Sequence, residues 1–234
     1  MEIGVPKDLV MREHLTHAIE DYLKTIYKLS NQHGRASTND LAERLAVKPA
    51  SVSGMIKKLA ETTPPLVNYE KHQGVTLTPD GEAVALEILR HHRLLELYLH
   101  QILGYSWDKV HDEADRLEHV ISEEFEARIA EALGDPLHDP HGDPIPTIDL
   151  ELPPTTTLRL SDLRPGQHAV IRRVLDRDAD LLCFLEEQGL VPAIQLYVEN
   201  YSSFDDNLTI KVANSDAQIV LGPKITRQIF VERI

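Results

Sequence analysis

Ser37-Thr38-Asn39-Asp40-Leu41-Ala42-Glu43-Arg44-Leu45-Ala46-Val47-Lys48-Pro49-Ala50-Ser51-Val52-Ser53-Gly54-Met55-Ile56-Lys57-Lys58-Leu59 is the stretch that sets the architecture. Ser37 suits a helix cap, a short helix follows, the chain turns near Val47-Lys48, and Pro49 suits the first position of a second helix. That is a helix-turn-helix pattern. Val52, Ile56 and Leu59 fall on one face of the second helix and hold it to a core, which turns Ala50, Ser51, Ser53, Gly54, Lys57 and Lys58 outward. Small residues allow close approach to base edges, and lysines suit phosphates; Thr38 and Lys48 are counted with them as candidate DNA contacts. The plain alternative is a helix pair in an all-α core.

The flanking residues favour the first reading. Leu66–Glu70 and Val75–Thr78 alternate as a hairpin around Lys71, His72, Gln73 and Gly74, and a hairpin directly after a helix-turn-helix makes a winged helix. Its polar tip, Lys71, His72 and Gln73, is placed to touch DNA. Upstream, His14 to Leu29 reads as an amphipathic helix with Leu15, Ile19 and Leu23 on its buried side, closed near Gly34. Met1 to Val75 holds ten Lys or Arg against nine Asp or Glu, so this third is nearly neutral although the whole chain carries a net charge of −14. The overall charge argues against a general polyanion binder and leaves room for one local DNA contact.

Downstream, Pro79 opens a long helix to about Leu103, with His92 and Glu96 an i, i+4 pair. From Arg90 to Leu150 there are five Lys or Arg against fourteen Asp or Glu, so the acidic excess is concentrated here. Within it lies His111-Asp112-Glu113-Ala114-Asp115-Arg116-Leu117-Glu118-His119. On a helix, His111, Asp115, Glu118 and His119 share one face, beside an apolar stripe of Val110, Ala114, Leu117 and Ile121. Imidazole with carboxylate is a common divalent-metal set, and a solvated acidic face is the alternative. Cys183 is the single cysteine, so metal chemistry within one chain must use oxygen and nitrogen donors. A further helix is expected from Phe125 to Leu133, after Ser122-Glu123-Glu124. The apolar surface of these helices exceeds what one small domain covers, which points to a two-fold homodimer.

Asp135 to Thr157 is dense in proline and reads as a linker or irregular crossover; His138 and His141 lie there at a spacing more often incidental than ligating. Then come short strands: Gln167 to Leu175, Ala193 to Tyr201, Leu208 to Val212, Gln218 to Leu221 and Ile225 to Val231, with one helix from Ala179 to Gln188. That is a small antiparallel barrel or sandwich. No segment approaches the roughly 18 apolar residues of a membrane span, and the first residues lack a secretory pattern, so no membrane is expected and the location expected is cytoplasmic.

Three runs carry a resemblance to a known family: Glu20-Asp21-Tyr22-Leu23-Lys24-Thr25-Ile26-Tyr27; Val110-His111-Asp112-Glu113-Ala114 followed by Glu118-His119; and Gly142-Asp143-Pro144-Ile145-Pro146. Leu160-Ser161-Asp162-Leu163-Arg164-Pro165-Gly166 adds a fourth. The chain resembles the diphtheria toxin repressor family of metal-dependent transcriptional regulators over nearly its whole length. The resemblance implies a mainly α fold with a small β part: a winged helix over residues 1–79, a helical metal-binding and dimerisation domain over 80–138, a linker over 139–157 and an SH3-like β-barrel over 158–234. It also implies a primary metal site of Asp21, Asp115, Glu118 and His119, and an ancillary site of His92, Glu96 and His111, with Asp178 and Asp180 as donors from the barrel.

The iron-responsive branch has sulfur-bearing residues where this chain has Asp21 and Asp115, and hard carboxylates favour Mn(II), with Fe(II) second. The manganese branch places a carboxylate one turn after the first-helix Asp, where this chain has Lys24. The implied function is a metal-activated repressor of metal-homeostasis genes, binding a palindromic operator as a homodimer, and not an enzyme. The rivals are a winged-helix regulator sensing an organic ligand and a metal-dependent hydrolase, for which no separate general base is visible.

Overall fold

A computed structural model describes residues 15–70, 73–175, 178–213 and 217–234. Lys71 and His72, expected at the wing tip, lie outside the described residues. The chain divides into two units, residues 1–91 with 148–150, and residues 92–147 with 151–234.

The first unit begins with α1 (His17–His33), α2 (Thr38–Arg44) and α3 (Pro49–Ala60). Ser37 caps α2 by accepting from the Asp40 amide at 3.1 Å, and Pro49 occupies the first turn of α3, where its missing N–H costs nothing. The turn between them passes through Ala46 at φ 52°. Leu23, Ile26, Leu41, Val52, Ile56 and Leu59 meet in one core. The wing is the hairpin β1 (Val67–Glu70) and β2 (Gly74–Leu77), in register from Val67 opposite Leu77 to Glu70 opposite Gly74. It is tied to the helices by paired backbone bonds between Ala36 and Val75, of 3.0 and 2.9 Å. α4 (Pro79–Gln101) then starts against the wing: a Cβ added at Gly81 would lie 2.0 Å from the Leu66 carbonyl oxygen, so only glycine lets the strand's lead-in pass this close.

In the second unit the last turns of α4 pack with α5 (Val110–Leu117) and α6 (Glu123–Leu133) around Leu94, Leu95, Val110, Ala114, Ile129 and Ile145. α5 is shorter than the periodicity predicts. It ends at Leu117, and Glu118 and His119 lie in the turn that follows, where the Val120 amide reaches Leu117 O in a tightened, three-residue bond. α6 starts two residues before the expected Phe125 because Ser122 caps it.

The C-terminal part contains β3 (His168–Val174), α7 (Ala179–Glu187), β4 (Gln195–Tyr201), β5 (Leu208–Val212), β6 (Gln218–Leu221), the short α8 (Pro223–Thr226) and β7 (Ile229–Arg233). The strands form one antiparallel sheet in the order β6-β5-β4-β3-β7. Among the described residues β6 and β7 remain its two edges, so the sheet is SH3-like in topology without closing into a barrel. The strand expected from Ile225 begins only at Ile229, because Gly222-Pro223 starts a helical turn first. Ile171, Val174, Leu185, Leu196, Ile210 and Val231 fill its core, joined by Trp107 from the helical part.

Residues read as a linker from 139 onward are not free at their start. Asp139 Oδ1 accepts from the amides of His141 and Asp143 at 2.8 and 2.9 Å, and the Val174 amide donates to His141 O at 2.9 Å. Gly142, at φ 88°, lies so close to β3 that an added Cβ would be 1.9 Å from Arg172 O. Arg173 donates to Asp143 at 3.0 Å. This loop is a packed joint between the helical and sheet parts of the unit.

Candidate metal centre and nucleic-acid interface

The second unit collects most of the expected donors. α4 supplies His92 and Glu96 one turn apart, both buried, and α5 with its trailing turn supplies His111, Asp115, Glu118 and His119. Three donor atoms form a nearly equilateral triangle: His92 Nε2 to Glu96 Oε1 3.1 Å, His92 Nε2 to His111 Nδ1 3.0 Å, and His111 Nδ1 to Glu96 Oε1 2.9 Å. The edge is that of one octahedral face, since donors at ~2.1 Å from a common ion and at right angles are ~3.0 Å apart. Two imidazoles and one carboxylate are also a donor set that suits Fe(II) and Mn(II). Glu96 Oε2 is buried with no hydrogen-bond partner, a costly arrangement for a carboxylate unless a cation is near. The residues therefore fit a divalent ion.

The other ring nitrogen of His92 points to the neighbouring donors, 2.6 Å from Glu118 Oε2 and 3.3 Å from Asp115 Oδ1. The second oxygen of Glu118 lies 3.3 Å from His119 Nε2. His92 thus bridges residues that the resemblance assigns to two sites. Burial lowers the affinity of its imidazole for a proton, but the Glu96 charge and the hydrogen bonds it donates to Asp115, Glu118 and Glu96 outweigh this and raise the pKa well above the ordinary histidine value. Burial in turn raises the Glu96 carboxyl, yet the His92 charge, hydrogen bonds from His111 and His92 and the His141 charge hold it well below the ordinary range.

Asp139 is not marked by the sequence pattern, and His141 reads there as an incidental loop histidine. Asp139 and His141 are buried, and each places a ligand atom, with one from Glu96, within 4.8 Å of the others. His141 Nε2 faces the carbonyl of Trp107 at 3.1 Å, so that nitrogen carries the proton. The other ring nitrogen, Nδ1, is buried and without a hydrogen-bond partner. The signal available in the sequence was the glycine after His141, which marks a backbone pinned against something. The Asp178 carboxylate caps α7 by accepting from the Leu181 amide at 3.2 Å. Asp180 is exposed, and among the described residues neither falls in a cluster of three metal-capable donors. Asp21 lies half-buried on α1 in the first unit.

On α3, Ala50, Ser51, Ser53, Gly54, Lys57 and Lys58 are all exposed, and Val52, Ile56 and Leu59 are buried on the opposite face. Lys48 and Gln73 are exposed as well, and Thr38 is half-buried.

A helix-turn-helix with a wing, followed by a His and carboxylate centre on a helical unit, defines a metal-linked DNA-binding protein. Family models match in the same order: the iron dependent repressor N-terminal DNA binding domain over residues 14–75, the iron dependent repressor metal binding and dimerisation domain over 78–147, and the FeoA domain over 158–233. The iron-dependent repressor IdeR of Mycobacterium tuberculosis is 33% identical over 94% of this chain and 99% of its own length. The diphtheria toxin repressor of Corynebacterium glutamicum is 35% identical over 94% and 98%. A manganese-dependent transcriptional repressor solved in complex with manganese superposes with a TM-score of 0.81 at 38% identity, covering 92% of this chain and all of that one. The chain belongs to the diphtheria toxin repressor family of metal-dependent transcriptional repressors.

Proposed function

We propose that this protein represses metal-homeostasis genes in response to Mn(II), with Fe(II) as the second candidate, by binding a palindromic operator as a homodimer in the cytoplasm. The observation that carries the choice of ion is the triangle of His92 Nε2, His111 Nδ1 and Glu96 Oε1, together with a complete absence of sulfur among the proposed ligands. Hard oxygen and imidazole donors suit Mn(II) and Fe(II) better than softer ions.

Asp115, Glu118 and His119, joined by Asp21 on the strength of the family likeness, form the primary set; His92, Glu96 and His111 form the ancillary one. Asp139 and His141 extend it through Glu96, and Asp178 is retained only as a cap. A bound divalent ion supplies positive charge where these carboxylates otherwise repel one another. The chain's own part is to hold the donors ready: Glu118 is fixed between two imidazoles, and His141 is oriented by its Nε2 contact with Trp107 O. The functional division is 1–79 for DNA, 80–138 for metal and dimer, 139–157 as connector and 158–234 as the sheet domain. Exposed Val120 and Phe125 on the helical unit are suited to the two-fold contact. Ligand residues stabilise the DNA-competent arrangement only to the extent that they bind the ion more tightly there than elsewhere.

The test is fluorescence anisotropy on upstream fragments of metal-transporter genes at fixed salt, in chelator and with Mn(II). Tight binding only with metal, lost in Glu118→Ala, is expected. Equal binding in chelator would remove the metal switch.

A further inference from the structure

Gly54 sits in the interior of α3, in ordinary helical backbone, and a Cβ added there would meet nothing within 4 Å. Glycine inside a helix is unfavourable relative to alanine, because it has more backbone freedom to lose. Elsewhere the chain uses glycine where geometry demands it, as at Gly81 and Gly142, which lie against carbonyl oxygens. At Gly54 neither a positive φ nor packing within the unit requires it. Nothing within the unit calls for glycine here, and the space beside it is open to a partner from outside the chain.

The position says what comes. Ala50, Gly54 and Lys58 follow at i, i+4 and i+8 along one exposed line of α3, opposite buried Val52, Ile56 and Leu59. A duplex whose phosphates meet Lys58 and whose groove floor meets Ala50 must pass over Gly54. Beside it, the Ser53 hydroxyl donates to Pro49 O at 3.1 Å, which leaves its oxygen outward as an acceptor only.

Resting on the DNA-binding reading above, we infer that Gly54 is a specificity-determining residue: the gap it leaves admits a thymine methyl group against the helix backbone. A methyl is the one apolar feature of the major-groove floor, and it distinguishes thymine from every other base. Any side chain at residue 54 would occupy that space.

The experiment starts from the full-length protein loaded with Mn(II), selecting bound duplexes from a randomised pool. Each thymine of the selected site is then replaced in turn by uracil, which removes only the methyl, and affinities are read by anisotropy at fixed salt. For the wild type, one thymine per half-site should cost ~4-fold when demethylated, the value of one buried methyl group. Gly54→Ala should melt ~2–4 °C higher, since alanine favours the helix, yet bind the selected duplex at least ~10-fold more weakly and discriminate less between thymine and uracil at that position. A stability gain with unchanged affinity and unchanged discrimination overturns the assignment while leaving the DNA-binding reading intact. If the metal-loaded wild type selects no sequence, it is the DNA-binding reading that fails.

Discussion

His92 Nδ1 and Glu118 Oε2 lie 2.6 Å apart, both buried, across 26 residues of chain. Since His92 also meets Glu96 and His111 through its other nitrogen, one imidazole touches ligands of both proposed sites. The two sites are therefore expected to fill interdependently, and substitution of either is expected to disturb both.

The paired charges of His92 and Glu96 predict an unusual pH dependence in metal-free protein. His92 has a raised pKa, so its stabilising contribution is full below the unfolded value of about 6.5 and fades as pH rises through the folded one. Glu96 has a lowered pKa, so its contribution is full above about 4.3 and fades as pH falls through its folded value. Metal-free melting temperature should thus peak in weakly acid solution. Mn(II) affinity should run the other way, rising with pH beyond the usual histidine range because the His92 proton must leave. Calorimetry from pH 5 to 9, with and without Mn(II), reads both slopes; parallel slopes would contradict the argument.

Glu96→Ala removes the partner of a buried imidazolium. A loss of about 3 kcal/mol is expected in metal-free protein, in the range for breaking a buried pair, together with loss of more than one bound ion per chain if Glu96 serves both the triangle and the Asp139–His141 group. Urea unfolding and Mn(II) stoichiometry by electron paramagnetic resonance measure these separately. A change in only one of them would separate the two roles assigned to this carboxylate.

Gly142→Ala should be among the most damaging single substitutions in the second unit. It places a side chain at φ 88° and drives its Cβ into Arg172 O. About 2 kcal/mol or more of stability should be lost from backbone strain alone. Because the same loop carries Asp139 and His141, protease cleavage near residue 142 should accelerate. Thermal melting and limited proteolysis provide the check, and wild-type behaviour in both would mean the loop relaxes freely.

Asp178→Ala separates a cap from a ligand. As the α7 cap it should cost about 1 kcal/mol and leave the Mn(II) isotherm unchanged. A lowered stoichiometry would restore Asp178 to the metal set.

The elements most legible in the sequence are those whose signals are local. Ser37, Pro49, Pro79 and Ser122 mark helix starts by their own chemistry, and the turnwise spacing of Val52, Ile56 and Leu59 marks a buried face. The His111 to His119 run also marks a shared side by helical spacing, although α5 ends before Glu118; a tight turn continues the same curvature far enough to keep the acid inward. Asp139 goes unmarked and His141 reads as an incidental loop histidine because what buries them is distant. Trp107 and Arg172 lie about thirty residues away on either side, and no period along the chain foretells such a meeting. The helical turn at Pro223 was hidden for the opposite reason: apolar Ile225, Ile229 and Val231 alternate well enough to suggest one continuous strand.

Trp107 is the chain's one tryptophan. Its indole N–H donates to Pro140 O at 3.1 Å, and its ring stacks on that of His141 at 5.1 Å between centroids. An imidazole at that distance quenches indole emission to a degree that depends on its own electronic state. The protein consequently carries an intrinsic optical probe beside the proposed Asp139–His141 donor group, and an ion entering that group is expected to change the colour and intensity of a single fluorophore in unlabelled protein.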